Sequence, residues 1–367
     1  MLKTMGTFDI RACEVNCRNS EGAFVTLKGG RILFVYTRYQ AGGGGDHDTA
    51  DLAACHSEDG GLSWTHDGVV MPHDDTSLNY MSVSLLRLAN ARIMLFFLRK
   101  SRNPDGGVAC MPYRCFSDDE GKSWTAPAPC LMRQDNSYLV VNNDRLVQLS
   151  DGRIAFPASI HIRLWNKKHY MPGVCALCTS SDNGESWEQG WNLVYPVTGS
   201  GSLTGWQEPG IIQLDDKRLM MWLRNDLGYQ YKSLSYDAGE SWSQPSPCLA
   251  FRSPTAPLSM KRDPVDGSLV AVWDDHAPVW ATELIHDGVH NRPKFGTDRR
   301  PFVLARSHDN GESWTEHQVI ENTPDCGYCY TAIHFHEGRT LLAYCCGNGV
   351  TGRGCLADLR IRTLERA

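Results

Sequence analysis

The chain lacks the long apolar run that a membrane span or a secretion signal requires. Residues 1–9 contain no apolar core of signal-peptide length, and no later stretch is apolar for long enough to cross a bilayer. Runs of lysine and arginine are missing too, and the formal net charge is -6. These absences argue against a nucleic-acid partner and against a membrane partner.

Fourteen cysteines occur in a sequence without a recognisable secretion signal. Such cysteines are typically reduced thiols in a cytosol, often packed as small apolar side chains, so we expect a cytoplasmic protein. Two pairs have the C-x-x-C spacing of zinc sites, Cys175/Cys178 and Cys326/Cys329. Residues three apart in a strand point to opposite faces, which disfavours chelation by one pair. We therefore expect neither a metal nor a cofactor.

No long segment has helical periodicity, whereas one octapeptide, Ser-x-Asp-x-Gly-x-Ser-Trp, occurs five times. Its copies are residues 57–64, 117–124, 180–187, 235–242 and 307–314. Ser and Asp side chains accept hydrogen bonds from nearby backbone N–H groups, and the glycine permits a positive φ. The octapeptide therefore predicts a tight turn between two strands, with a structural rather than a catalytic role.

A second repeat, two strands joined by a two-residue turn, occurs six times. Its turns are residues 29–30, 90–91, 151–152, 216–217, 266–267 and 337–338. Turn residues between apolar runs indicate hairpins. Each unit then has four antiparallel strands, and six units predict an all-β, six-bladed β-propeller that forms a single domain over residues 1–367. We expect residues 10–17 and a strand at 355–364 to close the ring.

The octapeptides resemble the Asp-boxes, or bacterial neuraminidase repeats, of the sialidase superfamily. The likeness covers nearly the whole chain, from about Arg18 onward. It implies a sialidase-like propeller with its active site at one end of the axis, on the face opposite the Asp-boxes. Asp-boxes also occur in propellers that are not sialidases, so the activity has to be argued from the site.

The fourth unit carries the best match to the site of the family. Gln207-Glu208-Pro209-Gly210 and Arg224 resemble the segment with the catalytic glutamate and the second substrate-binding arginine of sialidases. The separation of 16 residues suits a Glu at the start of one strand and an Arg at the end of its hairpin partner. The resemblance thus implies catalysis by Glu208 and substrate binding by Arg224.

Residues 327–333 resemble the strand that carries the nucleophile of the family. Sialidases use a tyrosine, because the carboxylate on the anomeric carbon of sialic acid repels an anionic nucleophile. Tyr330 fits the pattern of the strand better, and Tyr328, expected on the same side, remains an alternative. Either phenol would give its proton to Glu208 as it attacks.

The general acid/base of the family is an aspartate on a mobile loop after the first hairpin. Here that loop has four consecutive glycines, residues 42–45, followed by Asp46. Glycines make the loop flexible enough to close over a ligand. The resemblance implies that Asp46 is the acid/base, with Asp48 as the alternative, and that His47 contacts the substrate.

Sialidases bind the substrate carboxylate with three arginines, because guanidinium groups bind carboxylates bidentately. Arg224 matches the second, and Arg300, preferred over Arg299, is the candidate third. The first is absent from its expected position. Either Arg18 reaches in from the next turn, or Glu21 stands there instead and accepts hydrogen bonds from the hydroxyls of a different sugar.

Polar residues at strand ends complete the predicted rim. Aligning the hairpins places Asn143 level with Glu21, while Arg38 and Arg99 end second strands. Trp206 and Gln207 suit sugar recognition by ring stacking and hydrogen bonding. Further rim candidates are Asn79, Asn142, Asp144, Tyr229, Lys261 and Trp273.

These residues predict an exo-acting, retaining glycosidase whose partner is a carbohydrate substrate with a terminal, acidic sugar. Two alternatives remain. One is a non-catalytic sugar-binding propeller, although a lectin needs no acid/base pair. The other is a carbohydrate lyase on the same scaffold.

Overall fold

The computed structural model describes residues 2–132, 137–162, 171–277, 283–286, 291–294, 299–348 and 354–366. Over these ranges the chain has 27 β-strands and no helix, so the prediction of an all-β class is confirmed. Most strands pair antiparallel with a strand that is close to them in the chain. By their antiparallel pairing they fall into six strand groups, which we number from the N-terminus.

Group 1 contains β2 (Arg18–Thr26), β3 (Ile32–Tyr39), β4 (Ala50–Ser57) and β5 (Thr65–Met71). Group 2 contains β6 (Asn79–Arg87), β7 (Ile93–Arg102), β8 (Val108–Ser117) and β9 (Ala128–Pro129). Group 3 contains β10 (Ser137–Val140), β11 (Val147–Gln148), β12 (Ile154–Ile162), β13 (Val174–Ser180) and β14 (Glu188–Gln189). Group 4 contains β15 (Gln207–Gln213), β16 (Leu219–Arg224), β17 (Tyr229–Ser235) and β18 (Ser246–Arg252). Single parallel bridges, between β4 and β6 and between β8 and β10, join groups 1 to 3 into one 13-stranded sheet.

Group 5 contains β19 (Ser259–Arg262), β20 (Leu269–Asp274), β23 (Phe302–Ser307) and β24 (Thr315–Glu321). Between β20 and β23 the chain forms a separate hairpin of β21 (Glu283–His286) and β22 (Asn291–Lys294). Group 6 contains β25 (Cys326–His336), β26 (Arg339–Asn348), β27 (Asp358–Arg366) and, from the other end of the chain, β1 (Leu2–Ile10).

The five octapeptides form the same turn in groups 1 to 5. In each copy the backbone N–H of the glycine donates to the Oγ of the first serine at 2.8 Å. Gly61 has a φ of +90° and packs so tightly on Leu341 that a Cβ atom would lie 2.6 Å from it. Glycine is therefore required by both backbone conformation and packing.

A β-bulge interrupts the first hairpin strand in four of the groups. The register shifts at Glu21 in β2, Ser82 in β6, Glu208 in β15 and Tyr330 in β25. All four residues have positive φ, between 42° and 59°. Such a conformation is strained for a residue with a side chain, and a bulge turns that side chain away from the regular alternation of the strand.

The first strand of the chain pairs with the last. β1 runs antiparallel to β27, with Leu2 opposite Arg366 and Ile10 opposite Leu359. The expectation that residues 10–17 close this group is wrong, because Cys13 and Asn16 exchange backbone hydrogen bonds in a turn. The closing strand lies earlier in the chain, and β27 lies close to its predicted range of 355–364.

Six buried apolar clusters occur among the described residues. Each cluster combines residues of two successive groups, and the sixth, which includes Phe34 and Leu341, joins group 6 to group 1. Each group therefore buries apolar surface against two neighbours, which is the main source of its stability. The six-bladed propeller itself, and its extent as one domain, stay predictions.

None of the described segments forms a helix with the length and apolarity needed to cross a membrane.

Candidate active site

A cavity of about 250 Å³ lies where the bulged strands meet. The bulge residues Glu21, Ser82, Glu208 and Tyr330 all line it, so the same backbone distortion in four groups aims four polar side chains at one space. The other lining residues are Asp46, Met81, Leu98, Lys100, Cys110, Tyr138, Val140, Asn142, His161, Gln207 and Arg224. A larger cavity of about 740 Å³, lined by groups 2, 3 and 4, holds none of the site residues predicted from the sequence.

Tyr330, Glu208 and Arg224 form a connected set on one side of the cavity. The hydroxyl of Tyr330 donates to Oε1 of Glu208 at 3.1 Å, and Arg224 donates to Oε2 of the same carboxylate. Gln207 lies directly opposite Arg224 in the β15–β16 ladder, which explains why these residues reach the same rim. Glu208 is thus within hydrogen-bond reach of the phenol proton.

Burial and charge keep this phenol protonated. Burial raises the pKa of Tyr330 well above its ordinary value, and the negative charge of Glu208 raises it further, against the opposing charges of Arg224 and Arg299. Burial alone would lower the pKa of Arg224, but the negative charge of Glu208 and the hydrogen bond to it favour the charged guanidinium, and the pKa of Arg224 is raised. The resting site therefore holds a neutral phenol as a hydrogen-bond donor beside an ion pair.

Arg18 connects two carboxylates on the other side of the cavity. Its Nη1 donates to Oδ1 of Asp46 at 2.7 Å, and its Nη2 donates to Oε1 of Glu21 at 3.1 Å. Ser82 donates to the second oxygen of Glu21. Burial raises the pKa of Glu21, and Arg18 and the bond from Ser82 partly oppose this. Arg18 lies behind the cavity wall, and its guanidinium is already occupied by these carboxylates.

Asp46 stands at the cavity mouth on the glycine-rich loop, with 61% of its side chain exposed. Two residues fix this part of the loop: Asn79 donates to the carbonyl of Asp46 at 3.0 Å, and the ammonium of Lys100 donates to the same oxygen at 2.9 Å. Burial raises the pKa of Asp46, but the positive charges of Lys100 and Arg18 outweigh it, so that this pKa is lower than usual. The acid expected from the sequence thus lies between two cations.

The remaining wall of the cavity is mixed in character. Met81, Leu98 and Val140 supply apolar surface, and Tyr138 lies under the ammonium of Lys100, which is 5.6 Å from the ring centroid. His161 bonds to Ser159 at 3.1 Å, and burial lowers its pKa. Such a combination of apolar surface with a few polar groups is typical of small-molecule sites.

The structure brings Tyr330, and not Tyr328, to the cavity. Tyr328 is packed in the apolar cluster between groups 5 and 6, where its ring centroid lies 5.8 Å from that of Phe302 and 6.1 Å from that of Tyr344. The expectation that both tyrosines point to the same side is wrong. The bulge at Tyr330 breaks the alternation of β25 between the two.

Arg299 replaces Arg300 as the arginine beside the cavity. The guanidinium carbon of Arg299 lies 5.7 Å from the ring centroid of Tyr330, and its Nη1 has no hydrogen-bond partner among the described residues. Arg300 turns outward and donates to Asn322 at 2.9 Å. The preference for Arg300 is therefore corrected in favour of its neighbour.

Lys100 lines the cavity, and Arg99, which was expected there from the sequence, does not. Side chains alternate along β7, so the two residues face opposite ways. Arg99 forms a bidentate ion pair with Asp74, at 2.9 and 2.7 Å, outside the cavity. Arg38 does not line the cavity either. The missed signal was the pairing of Lys100 with Asn79, which puts both side chains under the Asp46 loop.

Three further predicted contacts lie outside the cavity lining. Trp206 is fully buried, with its ring 5.0 Å from that of Tyr231, so it packs between strand groups and presents no face to a sugar. His47 lies beside the mouth, with its ring centroid 6.4 Å from that of Tyr138. Asn143 is fully buried beneath the floor and bonds only to backbone there, whereas its neighbour Asn142 lines the cavity.

The described part of the chain has no group of three His, Cys, Asp or Glu side chains arranged to hold a metal ion. Its charged groups are instead paired with one another, as Glu208 is with Arg224 and Asp46 with Arg18. The cavity lining offers two phenols, three carboxylates and the cations of Lys100 and Arg224 for acid–base and nucleophilic chemistry.

A family model described as a BNR repeat-like domain matches residues 39–341. A sialidase of Paraclostridium sordellii is 26% identical over 244 residues, a stretch that covers 59% of this chain and 55% of that protein. The chain thus matches little more than half the length of this relative.

Two solved structures resemble the whole chain in fold. The Hadza microbial sialidase Hz136 has a TM-score of 0.73 at 15% identity, with 97% of this chain and 68% of that chain covered. The intramolecular trans-sialidase from Ruminococcus gnavus, solved with oseltamivir carboxylate, has a TM-score of 0.68 at 13% identity, with 99% and 98% covered. At these identities the likeness shows a shared fold.

Proposed function

The chain belongs to the BNR repeat-like family within the sialidase superfamily, and from this membership we propose that it is an exo-acting, retaining glycoside hydrolase for a terminal acidic sugar. The observation that carries the proposal is the hydrogen bond from the phenol of Tyr330 to Glu208, in a cavity that Asp46 also lines. A binding protein has no need of a nucleophile with a base beside it and an acid on a loop.

In the proposed reaction Tyr330 attacks the anomeric carbon of the sugar while Glu208 accepts the phenol proton. Asp46 protonates the oxygen of the leaving group, so that the glycosidic bond breaks as the bond from sugar to tyrosine forms. Water then attacks the glycosyl-enzyme, with Asp46 as the base, and Glu208 returns the proton to Tyr330. Two displacements at the same carbon retain its configuration.

The acidic group of the sugar would bind on the side of Arg224 and Arg299. Arg299 has a free Nη1 there, and a guanidinium is suited to a carboxylate. The opposite side carries Glu21 and Asp46, which would repel an anion and accept hydrogen bonds from sugar hydroxyls. Sialic acid is the first substrate to test, and the carboxylate at Glu21 favours testing other acidic sugars alongside it.

The fold that goes with this proposal is a six-bladed propeller. Two observations support it: six apolar clusters join successive groups, including group 6 to group 1, and strands of groups 1, 2, 3, 4 and 6 line one cavity. A ring of six blades would place their first strands around a common axis. We also propose a cytoplasmic location, because the 14 cysteines are free thiols.

The first test is kinetic and uses the two neighbouring tyrosines. On a panel of aryl glycosides that includes a sialoside and a uronide, Tyr330→Phe should lower kcat by at least about 1,000-fold, since it removes the nucleophile. Tyr328→Phe, the same substitution two residues earlier, should leave kcat within about twofold. Equal activity in both variants would refute the mechanism.

The second test separates the acid from the nucleophile. Asp46→Ala should slow cleavage of an oligosaccharide by roughly 100- to 10,000-fold, the usual contribution of a general acid. It should lower kcat/KM for an aryl glycoside far less, because an aryl leaving group needs little protonation in the first step, while kcat still falls because the second step has lost its base. Mass spectrometry of the product distinguishes a hydrolysed sugar from an anhydro-sugar or from the unsaturated product of a lyase. Intact ligand after long incubation with the wild-type protein would indicate a sugar-binding protein instead.

A further inference from the structure

Between β10 and β11 the chain leaves the sheet of group 3 and passes beneath the cavity. Three consecutive buried residues form this passage, Asn143, Asp144 and Arg145, which we call the central tripeptide. Asp144 has a positive φ of 59°, which turns the chain away from strand geometry. The proposed reaction uses none of the three residues.

Asn143 bonds to the backbone of two other groups. Its side-chain amide donates to the carbonyl of Gly22 at 2.8 Å and to the carbonyl of Tyr330 at 3.1 Å. Gly22 follows the bulge residue Glu21 in group 1, and Tyr330 is the bulge residue of group 6. One amide therefore fixes the strained backbone beside two of the residues that line the cavity.

Arg145 bonds in the same way to groups 4 and 5. Its Nε donates to the carbonyl of Pro209 at 3.2 Å, directly after Glu208, and its Nη2 donates to the carbonyl of Leu258 at 2.8 Å. Its Nη1 lies 3.4 Å from the hydroxyl of Ser259. The guanidinium also stacks over Trp222, 5.4 Å from the ring centroid, so its orientation is fixed by packing as well as by hydrogen bonds.

Asp144 completes the contacts of the tripeptide. Its carboxylate accepts from the ammonium of Lys261 at 2.6 Å and from the backbone N–H of Ile333 at 2.9 Å, while its own N–H donates to the carbonyl of Val83 at 2.9 Å. Ile333 lies three residues after Tyr330. The central tripeptide of group 3 thus bonds to all five other groups.

From these contacts we infer that the central tripeptide positions Tyr330 and Glu208 for catalysis, with Asn143 holding the nucleophile and Arg145 holding the base. This inference rests on the proposed function. The side chains of Tyr330 and Glu208 come from strands that lie 122 residues apart in the chain. Each residue has the strained, positive φ of a bulge, which regular strand pairing does not stabilise. The buried side chains of Asn143 and Arg145 donate to carbonyls at these bulges and thereby hold the backbone in one position. The hydrogen bond of 3.1 Å between Tyr330 and Glu208 requires the backbone to be held in this way.

The test replaces one buried amide in the tripeptide and one elsewhere. Asn143→Asp keeps the shape of the side chain and removes the amide donor. The matched control is Gln230→Glu, because Gln230 is equally buried and donates to the carbonyl of Ala256 at 2.8 Å, away from the cavity. Each substitution places a carboxyl oxygen against a backbone carbonyl that accepted from the amide, so each should lower the melting temperature.

Two measurements then distinguish positioning from stability. Asn143→Asp should lower kcat by roughly 10- to 100-fold, the cost of a misplacement of about 1 Å, with KM within about threefold. In protein labelled with 3-fluorotyrosine, the fluorine resonance of Tyr330, identified by its loss in Tyr330→Phe, should shift in Asn143→Asp. Gln230→Glu should change neither quantity.

An unshifted Tyr330 resonance, together with a kcat equal to that of Gln230→Glu, would overturn the inference. If the wild-type protein cleaves no glycoside, the proposed function fails, and the fluorine resonance alone still decides whether Asn143 positions Tyr330. Should Asn143→Asp not fold, Asn143→Ser, which keeps a shorter donor, takes its place with the same two readouts. Arg145→Lys keeps the positive charge but loses the guanidinium N–H groups that bond to two carbonyls. It should lower kcat and shift the Tyr330 resonance less than Asn143→Asp does.

Discussion

The octapeptide turns and the cavity contain the same kinds of polar residue, but their hydrogen bonds span very different distances in the chain. In the turn at residues 57–64, the side chains of Ser57 and Asp59 bond to residues no more than four positions away. In the cavity, Glu208 accepts from Tyr330, 122 residues later, and Glu21 accepts from Ser82, 61 residues later. The serine and aspartate side chains of a turn find their partners within its own eight residues, although carbonyls of the turn also accept from other groups, as that of Asp59 does from Arg339 at 3.1 Å. The side chain of a cavity residue depends on other strand groups for its partners.

This difference decides what a substitution changes. Loss of one turn contact disturbs the turn in which it lies, and the four other octapeptide turns keep their own hydrogen bonds. Loss of one cavity residue leaves a buried partner without its charge or its hydrogen bond, and the position of the reacting groups changes with it. Activity should therefore respond to the cavity, and stability to the turns.

Among the substitutions that test this comparison, the largest effect should come from the paired arginines before β23. Arg299→Met should lower kcat/KM for an acidic glycoside by roughly 10- to 100-fold, because a hydrogen bond to a charged group is worth about 1.5–3 kcal/mol. Arg300→Met, the adjacent control, should change it by less than about twofold, since the hydrogen bond that Arg300 makes among the described residues is to an exposed asparagine. Equal losses in both variants, with equal melting temperatures, would remove Arg299 from the substrate site.

A turn substitution should do the reverse. Ser180 accepts from the N–H of Gly184 at 2.8 Å and donates to Asp182 at 2.8 Å, so Ser180→Ala should lower the free energy of unfolding by about 1–2 kcal/mol. Its kcat should equal that of the wild type at temperatures where both are folded. Ser181→Ala, the next residue of the same octapeptide, should be neutral in denaturant titrations. A drop in kcat without a drop in stability would contradict the separation of turns from cavity.

The smallest effect concerns the pH dependence of the cavity. The charges of Lys100 and Arg18 lower the pKa of Asp46, so the protonated acid and the activity that needs it are lost at an unusually low pH. Lys100→Met should raise this pKa and move the alkaline limb of the kcat/KM profile to higher pH, whereas Lys100→Arg should leave the limb in place. At the optimum the loss should be no more than about fivefold, the range of one partly exposed charge pair.

The interactions of Asp46 with Lys100 and Arg18 also determine how the stability of the fold changes with pH. Because the folded state lowers the pKa of Asp46, the bonds to this carboxylate stabilise the fold above the ordinary aspartate pKa and weaken as the pH falls through the folded value. The other charges near the loop are those of Glu21, His47, Asp48 and Arg102. A limb that does not move in Lys100→Met would show that these groups, and not Lys100, set the pKa.

The sequence was sufficient for the parts of the molecule that depend on local contacts. Ser, Asp and Gly of the octapeptides bond to one another, and the hairpin of Glu208 and Arg224 is a single turn, so both could be predicted from spacing. The all-β fold class follows from these units, whereas the choice of Asp46, Glu208 and Tyr330 came from the resemblance of their segments to those of the sialidase superfamily.

The errors have a common physical cause, which is the direction of side chains at strand ends. One bulge separates Tyr328 from Tyr330, and one step of alternation separates Arg99 from Lys100. A bulge shows in the register between two strands and leaves no pattern in a single one. Asn143 was placed in the rim by the same alignment, although the chain has left the strand at that point.

The pairing of β1 with β27 has a consequence for the synthesis of this protein. β1 leaves the ribosome long before its partner β27, so group 6 stays open for roughly 20–70 s at 5–20 residues per second. During that time the unpaired edge and the apolar face that groups 1 and 6 later share are exposed to other nascent chains. Once β27 is released it pairs with β1, and this pairing closes the edge of group 6 and the apolar face that groups 1 and 6 share.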